Sequence, residues 1–457
     1  MGARPDTRKL PWPVTIFLIL LVVPWVINIG DSRLSPSRIF LLFSVLPCLA
    51  MWASGKAGRI RIADIAVLGY CLWAVIAFTA NYDFATAIRS GGLIFVETAG
   101  AYFLARCYIR SADDFKNVVA LLFKIILVLL PFALFEVLTG QKPILAMARL
   151  VMPAIDVTMM DIRWGLYRAQ GPFEHPLLFG TFCGSIFAMT HLVLGEGQPL
   201  LKRWLQTALV ALVAFLSLSS GPLSGVAAQF VLLLWNWALG RFKARWKLLW
   251  GLLAGVWIGI SLTSTQSVPA FYVTHAPVFD RFDAYYRLLE WDYGVATIMR
   301  HPIFGIGFEA YDRPDWMARS IDMFWLTHGV DFGLPGAFLM MLIFVGSVAT
   351  VGFKSLKDDR AQLYRVAYLL SMTSFFLCGW TLHFWNATYC VFLFLLASGF
   401  WIADSGTKAA TLPPRSPRPG KRPLEGKRAA KERPALLRRP SAQASVRTKS
   451  RHSISDA

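Results

Sequence analysis

One set of the segments that separate the long apolar runs of this chain carries Arg33, Arg38, Arg89, Lys142, Arg149, Arg163, Arg168, Arg281, Arg287, Arg300, Arg313 and Arg319. Eleven of these twelve are arginine. A guanidinium is a planar fork of donors that meets phosphate oxygens two at a time, whereas an ammonium is a point charge. An arginine-rich surface beside a membrane therefore suits a phosphate or diphosphate attached to a lipid. The plainer reading is a solvated face or a set of headgroup anchors. Arg168 and Arg287 are the leading anion-binding candidates, with Arg163 and Arg281 beside them.

Proton transfer needs a carboxylate or an imidazole within reach of the reacting hydroxyl. Asp322, Glu174, His175 and His301 are the candidates on the same side. Each histidine precedes a proline (His175-Pro176 and His301-Pro302), so each also reads as a loop-to-helix turn. Asp322 precedes an apolar helical run and also reads as an N-cap. Between 271 and 316, aromatics including Trp291 and Trp316 alternate with acids such as Glu290, Asp292 and Asp312. Aromatic faces stack on sugar rings and carboxylates accept from hydroxyls; alternatively, the same residues form the core of a small packed cap. The six cysteines lie in or beside apolar stretches without zinc-site spacing. They read as small core hydrophobes, and no disulfide framework follows.

The elements that must position these groups are membrane spans. Of the 457 residues, 56% are hydrophobic and 16% charged, whereas soluble domains carry about 25% charged residues. A span needs roughly 20 mostly apolar residues. Runs of that kind fall near 12–29, 38–54, 62–80, 91–108, 117–138, 174–194, 205–220, 222–240, 247–264, 321–352, 363–381 and 384–402. The expected fold is all-α and polytopic, with about twelve spans and a large periplasmic loop between spans 9 and 10. The first run is long for a signal peptide and has no small-residue cleavage site, so it reads as an uncleaved span. The run 321–352 contains Asp331, Gly333, Pro335 and Gly336 and reads as an interfacial helix followed by a span from about 333.

Counting Lys and Arg in the intervening loops gives 19 in the set that includes the N-terminus and 12 in the other. By the positive-inside rule both termini are expected in the cytoplasm, with the loops 139–173 and 265–320 in the periplasm. Residues 1–404 then form the transmembrane domain. Residues 405–457 carry 14 Lys and Arg against three acids, and seven prolines. They read as a disordered basic cytoplasmic tail attracted to anionic membrane lipids. A basic tail on a membrane protein does not call for nucleic acid.

Several stretches resemble the bacterial O-antigen ligase and polysaccharide polymerase family. Arg287 precedes His301-Pro-Ile-Phe-Gly-Ile-Gly307, then Ser320-Ile-Asp322, then Gly333-Leu-Pro-Gly336. Upstream, Arg168-Ala-Gln-Gly-Pro-Phe-Glu-His-Pro176 is similar to the family's R-x-x-G-x-F-x-H-P segment, and Ser217–Gly221 stands where the family has a Ser-rich turn. The resemblance covers roughly residues 160–340. It implies transfer of a glycan from undecaprenyl diphosphate to a glycan or lipid acceptor at the outer leaflet of the bacterial inner membrane. It also implies metal independence, and no cofactor is expected. Arg168 and Arg287 would bind the diphosphate with Arg163, Arg281, His175, Trp291 and Trp316 lining the substrate. Asp322, Glu174 or His301 would take the proton in an inverting displacement. Ligases carry a His-Asn pair where this chain has Ile321-Asp322, a departure that reads as the exopolysaccharide polymerase branch. The alternatives are an O-antigen ligase acting on lipid A core and a transporter or flippase. Against the latter, mid-span charge is limited to Glu97, Lys124 and Glu136, and no repeat is visible.

Overall fold

Polar residues that release the chain into its apolar runs also cap the resulting helices. Ser35 starts α2 (Pro36–Ala53) by accepting from the Arg38 N–H at 3.3 Å. Asp83 starts α4 (Phe84–Tyr108) by accepting from Thr86 N–H at 3.1 Å. Ser111 starts α5 (Ala112–Thr139), which ends at Gly140 in the left-handed conformation. Such bonds satisfy amides that have no partner inside the first turn. The structure, a computed structural model, describes residues 9–29, 32–265, 267, 268, 271, 275 and 281–405; for residues 29, 32 and 281–284 it describes only the backbone. The basic tail beyond Ser405 lies outside the described residues.

The chain begins with α1 (Trp12–Leu20), followed by a short antiparallel pair, β1 (Ile27–Ile29) and β2 (Ser32–Leu34). The run 12–29 is therefore not one spanning helix. Pro24 cannot continue a helical ladder and restricts the residue before it. Beyond it the chain pairs with the loop that follows α5: Trp25 bridges Ala154, and the Val26 N–H donates to Pro153 O at 2.8 Å. After α2 come α3 (Ile62–Asn81), α4, α5, α6 (Pro143–Arg149), α7 (Pro176–Gly184) and α8 (Phe187–Met189), with a π-turn at Thr190–Leu194. Then follow α9 (Leu200–Phe215), α10 (Ser220–Ala238), α11 (Arg245–Thr263) and α12 (Arg281–Arg300). Last come α13 (Phe324–Gly352), α14 (Asp359–Cys378), α15 (Asn386–Ser398) and α16 (Phe400–Asp404).

The protein is mostly helical, and among the described residues seven segments are long and apolar enough to cross a membrane. They are Pro36–Ala53, Ile62–Asn81, Ala112–Thr139, Pro176–Leu194, Arg245–Thr263, Phe324–Gly352 and Asn386–Asp404. The shortfall from twelve has local causes: α1 and α9 are short, α4 and α14 carry several charges, and α10 is diluted by serines, glycines, Pro222, Gln229 and Asn236. In the interior, α3 packs on α4 and α13, α4 on α2 and α15, and α10 on α14. The loops with the larger Lys and Arg count meet at one end. There Asp64 accepts from Arg106 at 3.2 Å, Asp404 from Arg61 at 2.6 Å, and Arg360 bridges Glu196 and Asp113.

Candidate active site

Glu136, fully buried near the end of α5, holds the Arg168 segment in place. Its Oε2 accepts from the backbone N–H groups of Gln170 at 2.8 Å and Gly171 at 3.2 Å, and from Lys142 Nζ at 3.1 Å. The carboxylate that the sequence reads as a mid-span charge thus lies in the last turn of α5 and anchors a loop. That loop delivers the buried Arg168 guanidinium to the turn between α9 and α10, where it donates to Ser219 Oγ at 2.8 Å and Ser217 O at 3.4 Å. Arg163 reaches the same turn, donating to Leu218 O at 2.9 Å.

Arg287, on α12, arrives at the same place from the other side. Its Nε donates to Thr381 O at 3.2 Å, in the short connection between α14 and α15. This connection packs directly on the first residues of α10: a Cβ on Gly221 would stand 2.8 Å from Leu382 Cδ2 and 3.1 Å from Thr381 Oγ1. Arg168 and Arg287 are therefore seated on two backbone turns that touch. Arg287 Nη1 is buried and makes no hydrogen bond among the described residues.

One turn along α12, Glu290 is 1% exposed. Its Oε1 accepts from the Asp322 N–H at 3.2 Å, and its Oε2 is buried without a partner. Burial, and after it the neighbouring Asp322 carboxylate, push Glu290 up to about 8. Tyr311, whose hydroxyl is also buried without a partner, is raised mainly by burial and then by Glu290. Asp322 itself is not an N-cap: α13 starts after Met323, with no side-chain cap bond.

In the same connection as Thr381, burial holds His383 down at about 4, and its ring stacks on Trp385 at 5.8 Å. Trp385 also meets the ring of His175 at 6.3 Å. His175 caps α7 by accepting from Leu177 N–H at Nδ1, 3.1 Å, which requires that nitrogen unprotonated. Burial, with Arg168 adding repulsion, lowers His175 to about 4 and keeps it so.

The glycine motifs dock backbone on backbone. The Ile306 N–H donates to Val330 O at 2.9 Å, Gly307 N–H to Asp331 O at 3.0 Å, and Leu334 N–H to Pro302 O at 2.8 Å. The segment 302–307 thus clamps the point where α13 leaves helical conformation, Gly333 at φ 70°. Gly305 and Gly333 have positive φ, and a Cβ on either would fall 2.4 Å or 2.1 Å from a carbonyl oxygen. His301 lies exposed outside this clamp. It is 14 positions beyond Arg287, about 20 Å along a helix, and no hydrogen bond links it to Arg287, Glu290 or Asp322 among the described residues.

The remaining candidates divide. Trp291 packs against Trp380 at 5.8 Å and against the cap's own core of Ile298, Ile306, Tyr311 and Met323. Trp316 is largely exposed, with Tyr286 6.2 Å away. Glu174 faces a different cavity, where its Oε1 accepts from Asn386 at 2.6 Å. The side chain of Arg281 lies outside the described residues. Glu290, Thr381, His383 and Trp385 were not singled out from sequence. The Arg287–Glu290 spacing of three on a helix pointed to one face, but the 379–385 connection carried no signal beyond its brevity.

Fold and site together define a multi-pass α-helical membrane protein with an arginine-lined, carboxylate-bearing site at one end. Residues 205–341 match a family model described as O-antigen ligase. The match takes in the Ser217–Gly221 turn, Arg287, the glycine clamp and Asp322, and begins downstream of Arg168. No curated protein matches the chain.

Proposed function

We propose that the protein transfers a glycan from undecaprenyl diphosphate to an acceptor hydroxyl at the periplasmic face of the bacterial inner membrane, polymerising surface or exopolysaccharide repeat units. The observation that carries this reading is the seating of Arg168 and Arg287 on two touching turns beside the Glu290–Asp322 pair. Two guanidiniums converging on one junction suit the two phosphates of a leaving diphosphate, whose growing charge they would stabilise without a metal or cofactor. Asp322 would accept the proton of the attacking hydroxyl while Glu290 keeps its own. Direct displacement at the anomeric carbon then inverts its configuration: the hydroxyl oxygen forms the new glycosidic bond, and the bond to the diphosphate breaks. Arg163, Arg281, His175 and Trp291 flank the substrate in this reading, with Trp316 at the rim. His301 and Glu174 stand apart and serve as alternative bases only if the site closes around substrate.

The proposed topology has twelve crossings, the first made by α1 together with the non-helical segment that follows it and others by the shorter helices, and cytoplasmic termini. It places loops 139–173 and 265–320 in the periplasm, and divides the chain into a membrane domain (1–404) and a basic cytoplasmic tail (405–457). A second reading, transfer of finished glycan to lipid A core, draws support from the description of the matched family. The test is deletion of the gene, followed by mass spectrometry of surface glycans and lipid-linked intermediates. Single repeats accumulating on the carrier, with polymer lost, support the polymerase. Long polymer stranded on the carrier, with core uncapped, supports the ligase. If neither changes, both readings fail and a transporter takes their place.

A further inference from the structure

Arg38 stands where two concavities meet. On one side is a cavity of about 420 Å³ with a polar lining that includes Arg33, Ser37, Asp156, Thr158, Glu174 and Asn386. On the other is an apolar groove between α2 and α4, also of about 420 Å³, lined by Leu42, Leu46, Leu93, Val96 and Gly92, with Arg38 and Arg89 also in its lining. Arg38 is fixed between them. Its Nε donates to Glu97 Oε1 at 2.7 Å, its Nη1 to Arg33 O at 3.0 Å, and its Nη2 to Asn386 Oδ1. An ion pair between two helices where one of them enters the membrane is costly to desolvate, and ionisable residues on spans mark ligand paths. Of its five guanidinium N–H groups, these three are engaged among the described residues, which leaves two for an anion.

We propose that this pair of concavities seats the acceptor: a lipid phosphate bearing a hydroxyl-rich, sugar-like head. The phosphate lies at Arg38 and Arg89, the head fills the polar cavity and the chain occupies the groove. The carboxylates and amide of the cavity call for hydroxyl donors, which a bare glycerophospholipid headgroup supplies poorly. From Arg38 to Leu46 the groove runs about 12 Å along α2, most of one leaflet of hydrocarbon.

The wall between this seat and the arginine junction is thin. Glu174 and Asn386 line the acceptor cavity, while their chain neighbours His175 and Trp385 meet each other on the Arg168 side. Donor and acceptor thus approach from opposite faces of a two-strand partition. The assignment of acceptor, though not the presence of a lipid site, rests on the transfer reaction proposed above.

Gly92 supplies a clean test, because a Cβ added there meets nothing within 4 Å. Gly92→Trp fills the groove without disturbing the Arg38–Glu97 pair. The full-length protein in phosphatidylcholine nanodiscs is labelled with a photoactivatable polyprenyl diphosphate carrying one sugar, and the labelled peptides are mapped. The expected result is labelling in α2 and α4 that falls at least fivefold in Gly92→Trp and Arg89→Glu but persists in Arg287→Ala. Excess phosphatidylglycerol should fail to displace the probe. Equal competition by phosphatidylglycerol would overturn the acceptor assignment in favour of bulk anionic lipid. Absence of label from α2 and α4, or labelling indifferent to both groove variants, would overturn the site altogether. Because the readout is binding, it stands apart from whether the Arg168–Arg287 site transfers glycan.

Discussion

Arg287 offers one nitrogen to Thr381 and keeps another buried without a partner. A buried donor left unpaired costs about 1–3 kcal/mol, a cost recovered when an anion arrives. Arg287→Ala removes both the fork and the charge, and is expected to lower transfer by at least a hundredfold while the protein still reaches the membrane. Arg287→Lys should recover little, since a point charge cannot hold Thr381 O and a phosphate in one plane. Transfer assayed in isolated membranes, normalised to protein by blotting, checks both variants; wild-type rates in Arg287→Ala would remove this residue from the site.

Glu290 adds a pH dependence whose sign can be worked out. With its value raised from 4.5 to about 8, the folded protein holds a proton there that the unfolded chain releases. Stability therefore falls as pH rises from about 4.5 towards 8 and levels above it. Above 8 the ionised carboxylate also pairs with Arg287 in competition with diphosphate, so transfer should decline. Glu290→Gln cannot ionise and should flatten that alkaline limb and the stability slope alike. An alkaline limb unchanged in the glutamine variant would show that Glu290 does not govern it.

At the scale of elements, the glycines of 302–307 and 333 are joined by contact. That the chain turns at 302–307 and breaks near 333 was legible in sequence, because glycine permits positive φ. Their pairing was not, because backbone-to-backbone docking leaves no side-chain signature on its partner. The same reason hid Thr381, whose contribution to Arg287 is a carbonyl oxygen that any residue would present. Glu136 was legible as a mid-span charge, but its use as a loop anchor depends on the amides of Gln170 and Gly171, which are likewise anonymous. Where residue type itself carries the chemistry the sequence is more direct: the polar residues Ser35, Asp83 and Ser111 that separate apolar runs are the caps that open α2, α4 and α5. Gly305→Ala should destabilise the protein by about 2 kcal/mol or more, since a positive φ alone costs a non-glycine residue about 1–3 kcal/mol. The added clash with Val330 O increases that cost. Gly92→Ala, in a helix with open space, should be neutral or stabilising by up to about 1 kcal/mol. Thermal unfolding in detergent, followed by tryptophan fluorescence, distinguishes the pair; equal midpoints would mean that the clamp yields without cost.

At the scale of the molecule, charge and helix length support the proposed orientation, with the Arg168–Arg287 end facing out. Arg61, Arg106, Arg110 and Arg360 gather at one end with Asp404, the last acid before the basic tail. Arg38, Arg168 and Arg287 belong to the other. Helix length agrees: α13 has 29 residues, more than the roughly 20 a bilayer needs. Its break at Gly333 leaves 19 residues beyond, about 28 Å of helix, which matches the hydrocarbon core. In the proposed orientation the nine residues of α13 before the break, 324–332, lie at the membrane surface with α12 packed on them. The six native cysteines are all buried, so introduced ones can be read against a quiet background. Arg313→Cys, in the loop after α12, should react with a membrane-impermeant maleimide added to spheroplasts, whereas Lys357→Cys, between α13 and α14, should react only after permeabilisation. The reverse pattern would invert the protein in the membrane, put Arg38, Arg168 and Arg287 on the cytoplasmic side, and remove any access to a substrate displayed on the outer leaflet.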